Sequence, residues 1–95
     1  MHVRLTFVKM KPDKINEMVS IYNTEIIPAA KQANGNIDIF LLEPITGGDD
    51  FISVTRWQSK IDAELYEASG LYKTLVGKVA HTFTAAPVLK VYEAK

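Results

Sequence analysis

The sequence contains no cysteine. Disulfides, thiolate metal sites and cysteine nucleophiles are therefore excluded. Only two histidines are present, which is too few for a histidine-rich metal site. Eleven basic residues balance eleven acidic ones, so no excess charge favours nucleic acid or anionic lipid as a partner. No apolar run approaches the roughly 20 residues that span a bilayer, so we expect no membrane association.

The amino-terminal residues 1–9 alternate in polarity and lack the apolar segment of a signal peptide. We therefore expect a cytoplasmic location. The chain has 95 residues, of which 47% are hydrophobic, and this predicts a single globular domain over residues 1–95. A domain of this length buries only a modest fraction of its surface, and association with a second copy is one common way to bury more.

The polarity pattern predicts the order β-α-β-β-α-β. Strands are predicted at residues 2–10, 36–43, 51–57 and 88–93. A short loop makes strands two and three a hairpin, and right-handed crossovers place both helical segments on one side of the sheet. The predicted fold class is therefore α+β and ferredoxin-like, with a four-stranded antiparallel sheet and helices on one face.

Several residues mark the ends of the helical segments. The first segment should begin near Pro12, be kinked at Pro28 and end at Gly35, which suits a left-handed cap. Ser59 is a candidate N-cap for the second segment. The pair Ser69-Gly70 should interrupt that segment.

Strand parity divides the predicted sheet into two faces. The wholly apolar set is expected to pack under the helices: Val3, Leu5, Phe7, Ile37, Ile39, Leu41, Ile52, Val54, Leu89 and Val91. The opposite face mixes polar residues with large apolar ones, and such a surface indicates a contact with another molecule. The simplest partner is a second copy packed sheet against sheet, which makes a homodimer. The residues predicted at this dimer interface are Phe40, Phe51, Trp57 and Tyr92.

A set of short motifs follows the chain in a characteristic order: Lys11-Pro12-x-Lys14, Gly35, Trp57-x-Ser59, Leu65-Tyr66-x-x-Ser69 and Leu71-Tyr72. With these motifs the sequence resembles the antibiotic biosynthesis monooxygenase superfamily of dimeric α+β barrels. The resemblance implies that two sheets form a barrel and that each subunit keeps a pocket between its helices and sheet. Members include cofactor-free oxygenases of quinols and anthrones, haem-degrading enzymes and isomerases.

The haem-degrading members of this superfamily use an asparagine in strand one, a tryptophan in the second helix and a haem-ligating histidine further on. By this resemblance the three positions correspond to Val3, Tyr66 and Val76. Valine cannot ligate iron. We therefore expect no haem at this site, and neither a metal nor a flavin cofactor.

Cofactor-free oxygenation requires a dry pocket, a proton acceptor or hydrogen-bond partner, and a group that stabilises the substrate anion. The candidate catalytic residues are Tyr66, Tyr72 and His81, and the candidate substrate-binding residues are Tyr22 and Arg56. Each tyrosine could instead be a core ring, since aromatic residues at helical spacing usually pack in the core. His81 could simply favour a helix C-terminus. Arg56, by parity on the helix side, could stabilise an anion or pair with an acid.

Three functions remain open at this point. The first is a cofactor-independent monooxygenase acting on a small quinol- or anthrone-like aromatic. The second is a dimer that binds a small apolar ligand without catalysis. The third is an isomerase of the same superfamily, which would need a base facing the pocket. The presence of a proton-transfer residue in the pocket separates the first function from the second.

Overall fold

Four antiparallel strands form one sheet in the computed structural model, which describes residues 1–95. The strands are β1 (His2–Val8), β2 (Asn36–Leu42), β3 (Phe51–Trp57) and β4 (Val88–Glu93). Their spatial order is β2-β3-β1-β4. The helices lie on one face, and the predicted ferredoxin-like α+β fold is confirmed.

The helical segments connect β1 to β2 and β3 to β4. The first contains a 3-10 turn (Pro12–Lys14), α1 (Ile15–Ile21), a π-helical turn (Tyr22–Ile26) and α2 (Ile27–Lys31). The second contains α3 (Lys60–Ala68), α4 (Leu71–Val79) and a 3-10 turn (Ala80–Thr82). No helix is both long enough and apolar enough to cross a bilayer.

The irregularity predicted at Pro28 takes the form of the π-helical turn that precedes it. The Ile27 N–H donates to the carbonyl of Tyr22, five residues back. Pro28 then lies in the first turn of α2, directly after the π-helical turn. The wider turn leaves the side chains of both Tyr22 and Ile26 buried. Similar π-helical turns inside α-helices frequently occur at functional sites.

Ser59 caps α3 as predicted. Its hydroxyl oxygen accepts a hydrogen bond from the Asp62 N–H at 3.1 Å, and its hydroxyl donates to the Asp62 carboxylate at 3.0 Å. Gly35 has a φ of 81° and lies directly against this carboxylate. It is not the helix cap that was predicted, because α2 ends at Lys31 with Gln32 as its C-cap, and Gly35 instead belongs to the turn that leads into β2. The Gly35 carbonyl also accepts from the Gln58 N–H at 2.8 Å. The turn that leads into β2 is thus joined to the start of α3.

Gly35→Ala should lower the free energy of unfolding by about 2 kcal/mol, because the new Cβ meets both a disfavoured φ and the Asp62 carboxylate. Chemical denaturation measures this loss. The matched control is Gly48→Ala, which has a comparable φ of 90° but no atom near the new Cβ, and it should lose only the backbone contribution. Equal losses in the two variants would contradict the proposed contact with Asp62.

The predicted division of the sheet faces is correct for β2 from Ile39 onward and for β4, but wrong for β1 and β3. Directly paired residues of an antiparallel sheet share a face. Arg4 pairs with Thr55, which pairs with Ile39; Thr6 pairs with Ser53. Because these side chains line the space beneath the helices, Val3, Leu5, Phe7, Ile52 and Val54 belong to the open face instead. Ile37 falls at a register shift and is 42% exposed.

This reversal moves two of the four predicted interface residues into the core. Trp57 is fully buried and Phe51 is 4% exposed. The predicted interface positions of Phe51 and Trp57 are therefore wrong, since both side chains pack beneath the helices. Phe40 and Tyr92 do lie on the open face, where they are 39% and 50% exposed. Parity could not decide between the two sides, because both faces of β1 and β3 carry apolar residues.

Candidate functional site

A cavity of about 50 Å³ lies between the sheet and the helices. Its polar lining consists of Arg4, Thr6, Tyr22, Ser53, Thr55, Tyr66 and Tyr72. Its apolar lining consists of Val8, Met18, Ile26, Ile39, Leu41, Leu75, Val76, Val79 and Phe83. The volume holds only a few water molecules, so the cavity must widen to admit a ring compound.

The floor of the cavity is formed by polar residues of β1 and β3. Arg4 faces Thr55 across the two strands, and Thr6 faces Ser53 two residues further along. All four side chains are on the helix side. The helix face of a sheet is normally apolar, so this polar group departs from the core pattern, as is expected at a functional site.

Two tyrosines from the helices bond to hydroxyl groups of the floor. The hydroxyl of Tyr22 lies 2.7 Å from Ser53 Oγ, and that of Tyr72 lies 3.1 Å from Thr6 Oγ1. Burial raises the pKa of Tyr22 to about 12, with the bond to Ser53 opposing the change. Tyr22 is therefore a neutral phenol at physiological pH. These bonds hold both rings against the sheet.

Tyr66 differs from the other two tyrosines because its hydroxyl makes no hydrogen bond within the protein. Its ring is 6% exposed and packs against Trp57, with ring centroids 4.8 Å apart. Tyr72 lies edge-on at 6.1 Å. Burial, together with the neighbouring Tyr72 and Tyr22, raises the pKa of Tyr66 to about 12. The cavity thus contains a neutral phenol that is free to donate a hydrogen bond.

Arg4 is a cavity residue that the sequence analysis did not select. Its side chain is 4% exposed, and one guanidinium nitrogen donates to Glu67 Oε1 at 3.0 Å. Another nitrogen lies 3.4 Å from the Ala63 carbonyl, and the guanidinium carbon lies 5.5 Å from the Tyr72 ring centroid. The available signal was an arginine among alternating apolar residues of a short strand. This arginine indicates a cavity residue only because its side of β1 faces the helices.

Arg56 is not at the cavity, so its predicted place on the helix side is wrong. It lies on the open face of the sheet, where Nε donates to Asp38 Oδ1 at 2.7 Å. The hydrogen bonds from Arg56 hold the pKa of Asp38 below its usual range. Of the two explanations considered, pairing with an acid is the one that the structure supports.

His81 also lies outside the cavity lining. Its side chain is 50% exposed and pairs with Glu17 of α1. The hydrogen bond from His81 lowers the pKa of Glu17. His81 therefore connects the end of the second helical segment to α1 on the surface, and its position does not support a role as a pocket base.

The sequence model of the antibiotic biosynthesis monooxygenase family matches residues 1–78 of the chain. The chain belongs to this family. No curated protein matches its sequence. The solved structures of several proteins have the same fold at low sequence identity. MhuD, a heme-degrader from Mycobacterium tuberculosis solved with two hemes in its active site, is 17% identical with a TM-score of 0.81, covering 99% of this chain and 95% of its own.

Two further solved structures have the same fold as this antibiotic biosynthesis monooxygenase family member. A conserved protein from Methanosarcina mazei Go1 has a TM-score of 0.82 at 14% identity, covering all of this chain and 94% of its own. A protein from Nitrosomonas europaea, named for the same family, has a TM-score of 0.79 at 17% identity, covering 99% and 98%. Such identities establish the fold and leave the activity open.

The residues of the cavity do not fit a bound haem. No histidine lines the cavity, and Val76 lies in the lining where the resemblance would require the iron ligand. Val3 faces the open side of the sheet, so the lining residues of β1 are Arg4, Thr6 and Val8. None of these is the asparagine that haem-degrading members use.

Proposed function

We propose that this protein is a cofactor-independent monooxygenase that acts on a small quinol-like aromatic bound in the cavity. The observation that carries the proposal is a largely apolar cavity between the sheet and the helices that contains one phenol, Tyr66, without a protein partner. An apolar lining suits an aromatic ring and excludes water from a reactive intermediate. The Tyr66 hydroxyl supplies a hydrogen bond that a substrate oxygen can accept.

The proposed reaction consumes a quinol and O₂. The quinol binds as the anion after losing a proton to water, and it supplies all the electrons that reduce O₂. One oxygen atom replaces a ring hydrogen as a new C–O bond forms and a C–H bond breaks, and the other oxygen atom leaves as water. The product is a hydroxyquinone. The protein holds the ring, excludes solvent and donates hydrogen bonds to the substrate anion. The apolar walls of the cavity and the Tyr66 hydroxyl would carry out these tasks.

A second candidate function is the binding of a small ligand without catalysis. One observation favours it: no histidine, lysine, aspartate or glutamate lines the cavity, and Tyr22 and Tyr66 have pKa values of about 12. The lining therefore supplies no efficient general base near neutral pH. A substrate acidic enough to ionise by itself is compatible with oxygenation. An isomerase needs a base at the pocket, so this geometry favours it least.

We further propose that the protein is a homodimer formed through the open face of the sheet. The open face carries several large side chains that are about half exposed: Phe40, Leu42, Val88 and Tyr92. Members of this family are often dimers. A second copy would cover the apolar side chains that a single chain leaves in water.

Tyr66→Phe should lower the rate of oxygen uptake with an oxidisable quinol about fivefold, since one hydrogen bond contributes about 1 kcal/mol. Its stability should be unchanged, because the hydroxyl has no partner in the protein. An oxygen electrode with a panel of quinols measures the rate, and incorporation of labelled oxygen into the product distinguishes oxygenation from simple oxidation.

Tyr72→Phe is the second cavity variant. It removes the bond to Thr6 and, unlike Tyr66→Phe, should lower the free energy of unfolding by about 1 kcal/mol. If no quinol supports oxygen uptake while ligands still bind normally, the result would reject the oxygenase function and favour ligand binding without catalysis. Uptake that neither substitution changes would contradict the assignment of the cavity.

A further inference from the structure

The buried guanidinium of Arg4 is the only formal charge in the cavity lining. A buried cation is costly unless a partner compensates for its lost hydration. Its one ionic partner is Glu67, which is 52% exposed while the Arg4 side chain is 4% exposed. The compensating carboxylate therefore lies largely in solvent, where water weakens its effect on the buried charge.

The other neighbours of Arg4 add no negative charge at the cavity. Tyr66, whose pKa of about 12 keeps it neutral at physiological pH, lines the same space. Tyr72 presents its ring to the guanidinium, and the Ala63 carbonyl accepts one long hydrogen bond. The cavity consequently combines an incompletely neutralised cation with hydroxyl donors and apolar walls.

We propose that the cavity selects ligands with one ionised acidic group, such as a phenolate or enolate, and that Arg4 is the residue that determines this selection. The proposal rests on the cavity being the ligand site of the proposed function. Glu67 acts as the resident counter-ion of Arg4 at the solvent side. Arg4 thereby takes the anion-stabilising role that was one of the two alternatives for Arg56.

The geometry of Arg4 is suited to this role. Its guanidinium extends from the floor towards α3 and lies between the Ala63 carbonyl and the Tyr72 ring. Guanidinium groups have five N–H donors, and the bonds to Ala63 and Glu67 employ two of its nitrogens. A bound oxyanion at the cavity would therefore gain a charge-assisted hydrogen bond, which is stronger than a bond between neutral groups.

The proposal predicts opposite effects for the two partners of the ion pair. Arg4→Met removes the cation and keeps a long apolar side chain, so it should weaken anion binding about tenfold or more. Glu67→Gln removes the competing carboxylate and should strengthen anion binding about threefold. A purely structural ion pair would make both substitutions weaken binding, because either one would loosen the contact between β1 and α3.

The experiment uses 4-nitrophenol, whose anion absorbs visible light, and nitrobenzene as its uncharged analogue. Affinities are measured for the wild type and variants by equilibrium dialysis, together with the apparent pKa of bound 4-nitrophenol. The wild type should prefer the nitrophenolate and lower that pKa. Arg4→Lys, which retains the charge, should keep part of the preference. Glu64→Gln is the matched control for Glu67→Gln, because Glu64 is an exposed α3 carboxylate paired only with Lys60.

Equal affinity of the wild type for the two compounds, or no measurable binding of nitrophenolate, would overturn the proposal. So would a Glu67→Gln variant that binds the anion no better than wild type. If Arg4→Met does not fold, Arg4→Lys and Glu67→Gln still decide the question. Nitrophenol binding requires no oxygen chemistry. Anion selection without quinol oxidation would therefore reject the oxygenase alone, and quinol oxidation without anion selection would reject only the role of Arg4.

Discussion

Trp57→Ala should lower the free energy of unfolding by about 3–5 kcal/mol, the usual cost of truncating a large buried aromatic. Trp57 is fully buried and packs in a tilted arrangement against Tyr66, with ring centroids 4.8 Å apart. Its indole N–H also donates to Thr55 Oγ1 at 2.9 Å. The truncation therefore removes a core contact and leaves a floor hydroxyl without its donor. Urea denaturation followed by circular dichroism measures the change, since the variant contains no tryptophan.

Trp57→Phe is the control for this prediction, because it retains most of the ring contact and loses the N–H donor, and it should cost less than the alanine variant. Tyr92→Ala, at an exposed position of the open face, should have little effect on the stability of the isolated chain. If Trp57→Ala kept wild-type stability but no longer formed a dimer, Trp57 would lie at the dimer interface. That result would contradict its position on the helix side of the sheet.

Phe40→Lys should convert the proposed dimer to a monomer at micromolar concentration, with the dimer dissociation constant raised about a hundredfold or more. Phe40 begins a row across the open face that continues through Val54 and Leu5 to Lys90. In a two-fold interface each substitution acts twice, and each new lysine would lose its hydration when the two sheets pack together. A hundredfold change corresponds to about 2.8 kcal/mol. Sedimentation velocity over a range of concentrations measures it.

Ile61→Lys is the matched control for Phe40→Lys, because Ile61 is a 69% exposed apolar residue on the helix side of the molecule. It should leave the association unchanged. Phe40 is 39% exposed in the single chain, so lysine at this position should not prevent folding. A dimer that survives Phe40→Lys and dissociates with Ile61→Lys would place the interface on the helices.

The order of elements could be predicted from the sequence because it depends on local physics. Alternating polarity marks strands, and the helical periodicity marks the segments between them. Ser59 and Gly70 begin helices through a hydrogen bond and a backbone conformation that involve near neighbours. The motifs that follow this order also indicated the family. Each of these signals is contained within a few residues.

The identity of the cavity residues could be predicted only in part. Tyr22, Tyr66 and Tyr72 lie on the faces of helices that turn toward the sheet, and helical periodicity places those faces correctly. Arg56 and His81 were selected for their chemistry, yet neither lines the cavity. Arg4 was missed because its place depends on which side of β1 the helices cover.

The sequence by itself determined that this chain alternates strands and helical segments in the ferredoxin-like order and that it resembles one family. Only the tertiary structure decided which faces of β1 and β3 turn toward the helices. Alternation with a period of two residues divides a strand into two faces but does not show which face the helices cover. In β1 and β3 both faces contain apolar residues, so composition does not decide it either. The inner face proved to be the more polar one, because it forms the floor of a cavity. That outcome placed Arg4 beside the tyrosines, Trp57 in the core and Arg56 on the open face.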